Sequence, residues 1–138
     1  MRVVYDTNVI ISAALKPGSI PASLVTLALT GRVQLCVSPP ILAEYREVLH
    51  RPKFGFEAHG IDAFLADLIR AALTVHPSAR LTVAPDEADN RFLECALEAS
   101  AAFVVTGNLR HFPVPSFHDI VILEPARFAQ VLAERLLP

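Results

Sequence analysis

A chain of 138 residues has the length of one domain, read here as a single unit over residues 1–138, and can bury roughly two-thirds of its unfolded surface without needing a disulfide or metal merely to fold. With 53% hydrophobic and 19% charged residues, against about 45–50% and about 25% in typical domains, it is core-rich and has apolar surface to spare for a partner. A net charge of −2 excludes a global basic field for nucleic acid, and since ten of the twelve cations are Arg, any phosphate contact must be local and Arg-based.

The chain opens on a short β-prone run, Val3-Val4-Tyr5, and Asp6 follows it at once. The strand is read over residues 2–6 and a helix from there to Leu15, broken by Lys16-Pro17-Gly18-Ser19. Ser19 or Ser23 caps a second helix with Pro21 in its first turn, and Gly31 ends it. Residues 33–38 alternate and form strand two; Pro39-Pro40 opens a third helix over residues 41–50. A loop is predicted at 53–60 with Phe54 and Phe56 exposed, then an amphipathic helix at 61–73. Residues 81–83 are read as a short strand, 86–100 as a helix, 102–106 as a strand, 107–119 as a loop, 120–123 as the last strand and 125–136 as the last helix. Strands alternating with helices predict an α/β fold: a three-layer α/β/α sandwich around a mainly parallel sheet of four to five strands.

Cys36 and Cys95 lie in apolar contexts without C-x-x-C spacing, so buried free thiols in a reducing compartment are expected. Asp6 interrupts any signal-peptide core, and no stretch approaches about 18 uncharged apolar residues, so the expectation is a soluble, cytoplasmic protein with no membrane span.

Four places concentrate polar chemistry. Asp6 ends a strand that turns into a helix, at the sheet edge where open α/β folds bind ligands; the alternative is that Asp6 or Thr7 merely caps the helix. At about 100° per residue, Asp89 falls mid-face among Phe92, Leu93, Ala96 and Leu97, while Arg91, Glu94 and Glu98 fall on the far side. A carboxylate on an apolar face is costly unless it meets a cation or several donors, although a capping box with Asp86 also explains an Asp in the first turn. Glu44 lies at the edge of the stripe formed by Ile41, Leu42, Tyr45, Val48 and Leu49, within reach of a site at the core's rim; the alternative is an ordinary surface pair with Arg46 or Arg51. Thr106 and Asn108 follow a strand at the same kind of edge as Asp6, where Gly107-Asn108 is also ordinary turn chemistry. Acids and an Asn drawn from strand ends and helix starts suit a hard cation, Mg²⁺ or Mn²⁺, and no His/Cys spacing for zinc is present. No G-x-G-x-x-G and no P-loop occurs, which argues against a nucleotide cofactor.

The stretches Val3-Val4-Tyr5-Asp6-Thr7-Asn8, Ser38-Pro39-Pro40-Ile41-Leu42-Ala43-Glu44-Tyr45, Asp86-Glu87-Ala88-Asp89-Asn90-Arg91 and Ala102-Phe103-Val104-Val105-Thr106-Gly107-Asn108 resemble, in this order, the motifs of the PIN-domain family of metal-dependent ribonucleases. That family includes the toxins of many toxin–antitoxin pairs. The departure is Asn108, where most of the family has Asp; a Thr-Gly-Asn followed by His-Phe-Pro, here His111-Phe112-Pro113, resembles one branch of it. The resemblance implies hydrolysis of RNA phosphodiesters with Mg²⁺ or Mn²⁺. It implies Asp6 and Asp89 as metal ligands, Glu44 as a ligand through water or a positioner of the attacking water, and Asn108 as a neutral ligand or donor to phosphate. Thr7, Asn8 and Thr106 would fix carboxylate rotamers. Arg46, Arg51, Lys53 and Arg110 are the nearest cations in sequence and so the candidates for the RNA backbone. An antitoxin protein and a homodimer, formed through the helices of residues 20–30 and 61–73, are the expected partners. Because Asn108 carries no charge, a weakly active or inactive domain that binds RNA or protein is the alternative.

Overall fold

A computed structural model describes residues 1–113 and 115–136. Residue 114, within the loop predicted at 107–119, and residues 137–138 lie outside the described residues. The strands are β1 (Arg2–Tyr5), β2 (Gln34–Val37), β3 (Leu73–Thr74), β4 (Phe103–Val105), β5 (Ser116–Phe117) and β6 (Ile120–Leu123). The helices are α1 (Thr7–Leu15), α2 (Ile20–Leu29), α3 (Pro39–Leu49), α4 (Ala58–Ala71), α5 (Asn90–Ala99) and α6 (Pro125–Leu136).

The sheet order is β3-β2-β1-β4-β6-β5, parallel throughout except for β5 against β6. The chain builds outward from β1 through β2 to β3, then returns to place β4 on β1's other side. The boundary between β1 and β4 is therefore the point where strand order reverses, and a crevice forms there at the carboxyl ends of the strands. In a mainly parallel sheet the connections are right-handed as a rule, and crossovers running in opposite directions then place helices on both faces. In keeping with this, α1 to α4 pack on one another while α5 lies on β1, β2 and β4. Covered on both faces, β1 from Val3 and all of β4 are buried.

The core runs from Val3, Val4 and Tyr5 through Ile41, Tyr45 and Leu93 to Phe128. Each such side chain contributes about 1.5–3 kcal/mol relative to exposure. Tyr5 and Tyr45, both fully buried, are tolerated because their hydroxyls are used: Tyr5 donates to the Leu24 carbonyl at 3.0 Å, and Tyr45 donates to the Tyr5 carbonyl. The second of these bonds ties α3 to the end of β1, beside Asp6. Cys36 and Cys95 are free and buried. Among the described residues no single helix is long and apolar enough to cross a membrane.

Among the described residues six strands replace the expected four to five, because β3 and β5 have two residues each, too few to leave an alternating pattern. The strand expected at 81–83 is absent. Its backbone is bonded instead by α5 side chains: Leu81 N–H donates to Glu94 Oε2 at 2.8 Å, and Val83 and Ala84 N–H both donate to Asn90 Oδ1, at 2.9 and 2.8 Å. α4 starts at Ala58 rather than 61, since Glu57 caps it by accepting from His59 and Gly60 N–H. Within the predicted 53–60 loop, Pro52–Phe54 forms a 3-10 turn, and Phe54 and Phe56 are half-buried and stacked at 5.9 Å rather than exposed. The helix read from 86 opens with a 3-10 turn, Glu87–Asp89, before α5 proper.

Candidate active site

Asp6 continues the β1–β4 ladder, its N–H donating to the Val105 carbonyl at 2.9 Å, and then stands at the N-cap of α1 without making a side-chain cap bond. Its carboxylate turns instead toward the crevice: Oδ2 accepts from Thr106 Oγ1 at 2.7 Å and from Asn8 Nδ2 at 3.2 Å. Thr106 reaches it because β1 and β4 are parallel and in register, Tyr5 beside Val105. Thr106 Oγ1 and Asn8 Oδ1 in turn accept from the N–H groups of Asn108 and Gly107, both at 3.0 Å. One carboxylate oxygen thus fixes the turn after β4. Burial of Asp6 raises its carboxyl above the usual range, and these hydrogen bonds oppose that rise.

Glu44 projects from α3 and accepts from Thr7 Oγ1. The surface pairs open to it are made by others: Arg46 binds Asp62 at 2.7 Å and Arg51 binds Glu47 at 3.2 Å. Glu44's carboxyl is raised, first by burial and then by the charges of Asp6, Asp86 and Glu47, against the Thr7 bond.

Asp89 is buried at the 3-10 turn before α5 and makes no cap bond; Asp86 takes that role by accepting from Ala88 N–H at 3.1 Å. Asp89 Oδ2 has no hydrogen-bond partner, although His111 Nδ1 lies 3.3 Å away. Burial first, then Asp6 and Asp86, push the carboxyl up to about 6, while His111 opposes the rise.

One cleft of about 400 Å³ is lined by Asp6, Thr7, Asn8, Glu44, Asp89 and Asn108, joined by Ser12, Arg51, Phe54, Asp86 and His111. Of the four candidate backbone cations, Arg51 lines it; Arg46, Lys53 and Arg110 do not. Arg46 is held by Asp62, and Lys53 sits over the Phe54 ring at 5.1 Å. Among the described residues no three His, Cys, Asp or Glu side chains are arranged to hold a metal ion, so Asp6, Glu44 and Asp89 are not a closed ligand set. The donors still fit a hard cation: Asp89 presents a buried carboxylate oxygen without a partner, and Mg²⁺ binds through one or two carboxylates while keeping water.

Two acids and a histidine escaped the sequence reading. Asp86 lines the cleft beside Asp89. His111 was visible only as part of His111-Phe112-Pro113, because an irregular loop has no periodicity to say which way it faces. Glu94, placed on the solvent side by helix phase, is buried: the 81–84 segment covers it, Leu81 N–H bonds to it, and Arg91 pairs with it at 2.7 Å.

The family model described as PIN domain matches residues 2–110. An uncharacterised protein of Methanocaldococcus jannaschii is 33% identical over 112 residues, covering 78% of this chain and 71% of that protein. The crystal structure of VapBC2 from Rickettsia felis, bound to a DNA fragment from their promoter, contains a similar fold: TM-score 0.60 at 15% identity, over 90% of this chain and 98% of that one. A strand-order reversal with acids at its mouth, and a match that begins at β1 and ends beyond Asn108, make this chain a member of the PIN-domain family.

Proposed function

We propose that the cleft is the active site of a metal-dependent ribonuclease that hydrolyses RNA phosphodiesters, and that the protein acts as the toxin of a toxin–antitoxin pair. One observation carries the chemistry: the unpartnered, buried Oδ2 of Asp89, in a cleft shared with Asp6 and Glu44. Four acids gathered with one Arg and one His are costly in the absence of a cation. Asp89 and Asp6 would hold Mg²⁺ or Mn²⁺. When bound, such an ion supplies an acidified water and neutralises charge at the phosphate.

The remaining roles fall to the chain's own groups. Thr106 and Asn8 lock the Asp6 rotamer, and Thr7 locks Glu44. Glu44, with its raised carboxyl, positions the attacking water and takes its proton. Asn108, exposed at the cleft's lip, donates to a phosphate oxygen, and Arg51 contacts the backbone. Exposed Ile20 on α2 and Ile69 on α4 support the homodimer face, which light scattering would detect as twice the monomer mass.

The test is cleavage of a labelled single-stranded RNA. Cleavage with Mn²⁺ or Mg²⁺, stopped by EDTA and by Asp6→Asn, supports the assignment. The neutral Asn108 favours a second reading, an RNA-binding domain that does not cut; RNA retained with Mn²⁺ yet left whole would establish it.

A further inference from the structure

The geometry points to His111 as a nitrogen ligand of the catalytic cation, which makes the site one for Mn²⁺ in preference to Mg²⁺. This rests on the metal-dependent assignment above. A 3-10 turn, Leu109–His111, folds the chain back after Asn108, with His111 N–H bonded to the Asn108 carbonyl and Phe112 N–H to the Leu109 carbonyl, at 3.0 and 3.1 Å. Both ends of the turn are anchored. Gly107 and Asn108 N–H groups are held by Asn8 and Thr106, and Phe112 is buried in the core. The imidazole between these anchors is 47% exposed, so burial does not account for its position. It faces the cleft with Nδ1 3.3 Å from Asp89 Oδ2.

That separation is long for a charge-assisted hydrogen bond, which closes to about 2.7–2.9 Å, and Oδ2 makes none. It is close to the distance of about 3 Å between neighbouring ligands whose bonds to one octahedral ion are about 2.0–2.1 Å. Asp89 is 8% exposed and its Oδ2 is buried and unpartnered, so the nitrogen and the oxygen stand side by side without bonding each other. Asn108, on the same turn, adds no charge there. An imidazole donor shifts preference away from Mg²⁺, which favours oxygen, toward the later divalent ions.

The experiment is Mn²⁺ titration with electron spin-echo spectroscopy on the full chain. The wild type should show a directly bound nitrogen. His111→Ala and His111→Gln should both lose it and bind Mn²⁺ at least ~10-fold more weakly, the loss that even outer partners of a metal ligand can cause. Mg²⁺ affinity should change little. Gln keeps a polar group beside Asp89, so a role for His111 as a mere hydrogen-bond partner predicts rescue by Gln, and rescue overturns the proposal. Bound Mn²⁺ without nitrogen coupling in the wild type also overturns it and leaves the nuclease assignment standing. No bound Mn²⁺ at all overturns both.

Discussion

Replacing Asp89 by Asn measures the strain stored in the cleft. Burial, Asp6 and Asp86 raise this carboxyl from 3.8 to about 6. The folded value lies above the unfolded one, so the charged form opposes folding. The contribution of this group to stability is fullest below pH 3.8, falls as pH rises from there to about 6, and stays lowered at neutral pH. At about 1.36 kcal/mol per unit, that rise corresponds to about 3 kcal/mol at pH 7. Asp6 and Glu44 are raised chiefly by their own burial, which the Asp89 substitution leaves in place, so removing this one charge recovers about 1–3 kcal/mol, a melting shift of several degrees. In EDTA at pH 7 the Asp89→Asn variant should melt above the wild type, and near pH 4 the two should nearly coincide. Metal at about 100 times its dissociation constant should stabilise the wild type by about 2.7 kcal/mol and the variant far less. Circular dichroism melts at the two pH values, with EDTA and with Mn²⁺, supply all the comparisons. A variant less stable than the wild type at both pH values, with its metal shift intact, would return Asp89 to a structural role.

Asn108→Asp adds a fifth carboxylate at the cleft; it should lower the metal-free melting temperature while enlarging the Mn²⁺-induced shift, and paired melts read both. Thr106→Val removes the 2.7 Å donor to Asp6 and should cost about 10–100-fold in metal affinity, read by calorimetry, with the fold retained. Glu94→Ala strips the partner from Leu81 N–H and one of two from the largely buried Arg91; a loss of about 2–3 kcal/mol in urea unfolding is expected.

Much of this arrangement could be read from local pattern. A β-prone run stopping at Asp6, and an Asp on the apolar side of a helix start, are visible in a few residues, and both acids turn inward. Glu44 was harder, because its place depends on Tyr45 reaching the Tyr5 carbonyl across 40 positions of sequence. Glu94 was misplaced because helix phase compares a residue only with its own helix, while the 81–84 segment that covers it comes from elsewhere. That segment looked like a strand because Leu81, Thr82 and Val83 have β-prone side chains; its hydrogen bonds go to Asn90 and Glu94 instead. His111 leaves no such mark in the sequence: its direction is set by a 3-10 turn anchored in the core at Phe112, and no periodicity signals such a turn.

In the proposed reaction, water held in this cleft attacks phosphorus, which makes no use of the ribose 2′-hydroxyl. The direct measurement is the chemistry of the cleaved ends, on an RNA and on the same strand carrying a single 2′-deoxy nucleotide at the cut. Hydrolysis of this kind should cleave both in Mn²⁺, stop with Asp6→Asn, and leave no 2′,3′-cyclic phosphate. Cleavage that persists in EDTA, requires the 2′-hydroxyl and ends in a cyclic phosphate would contradict it.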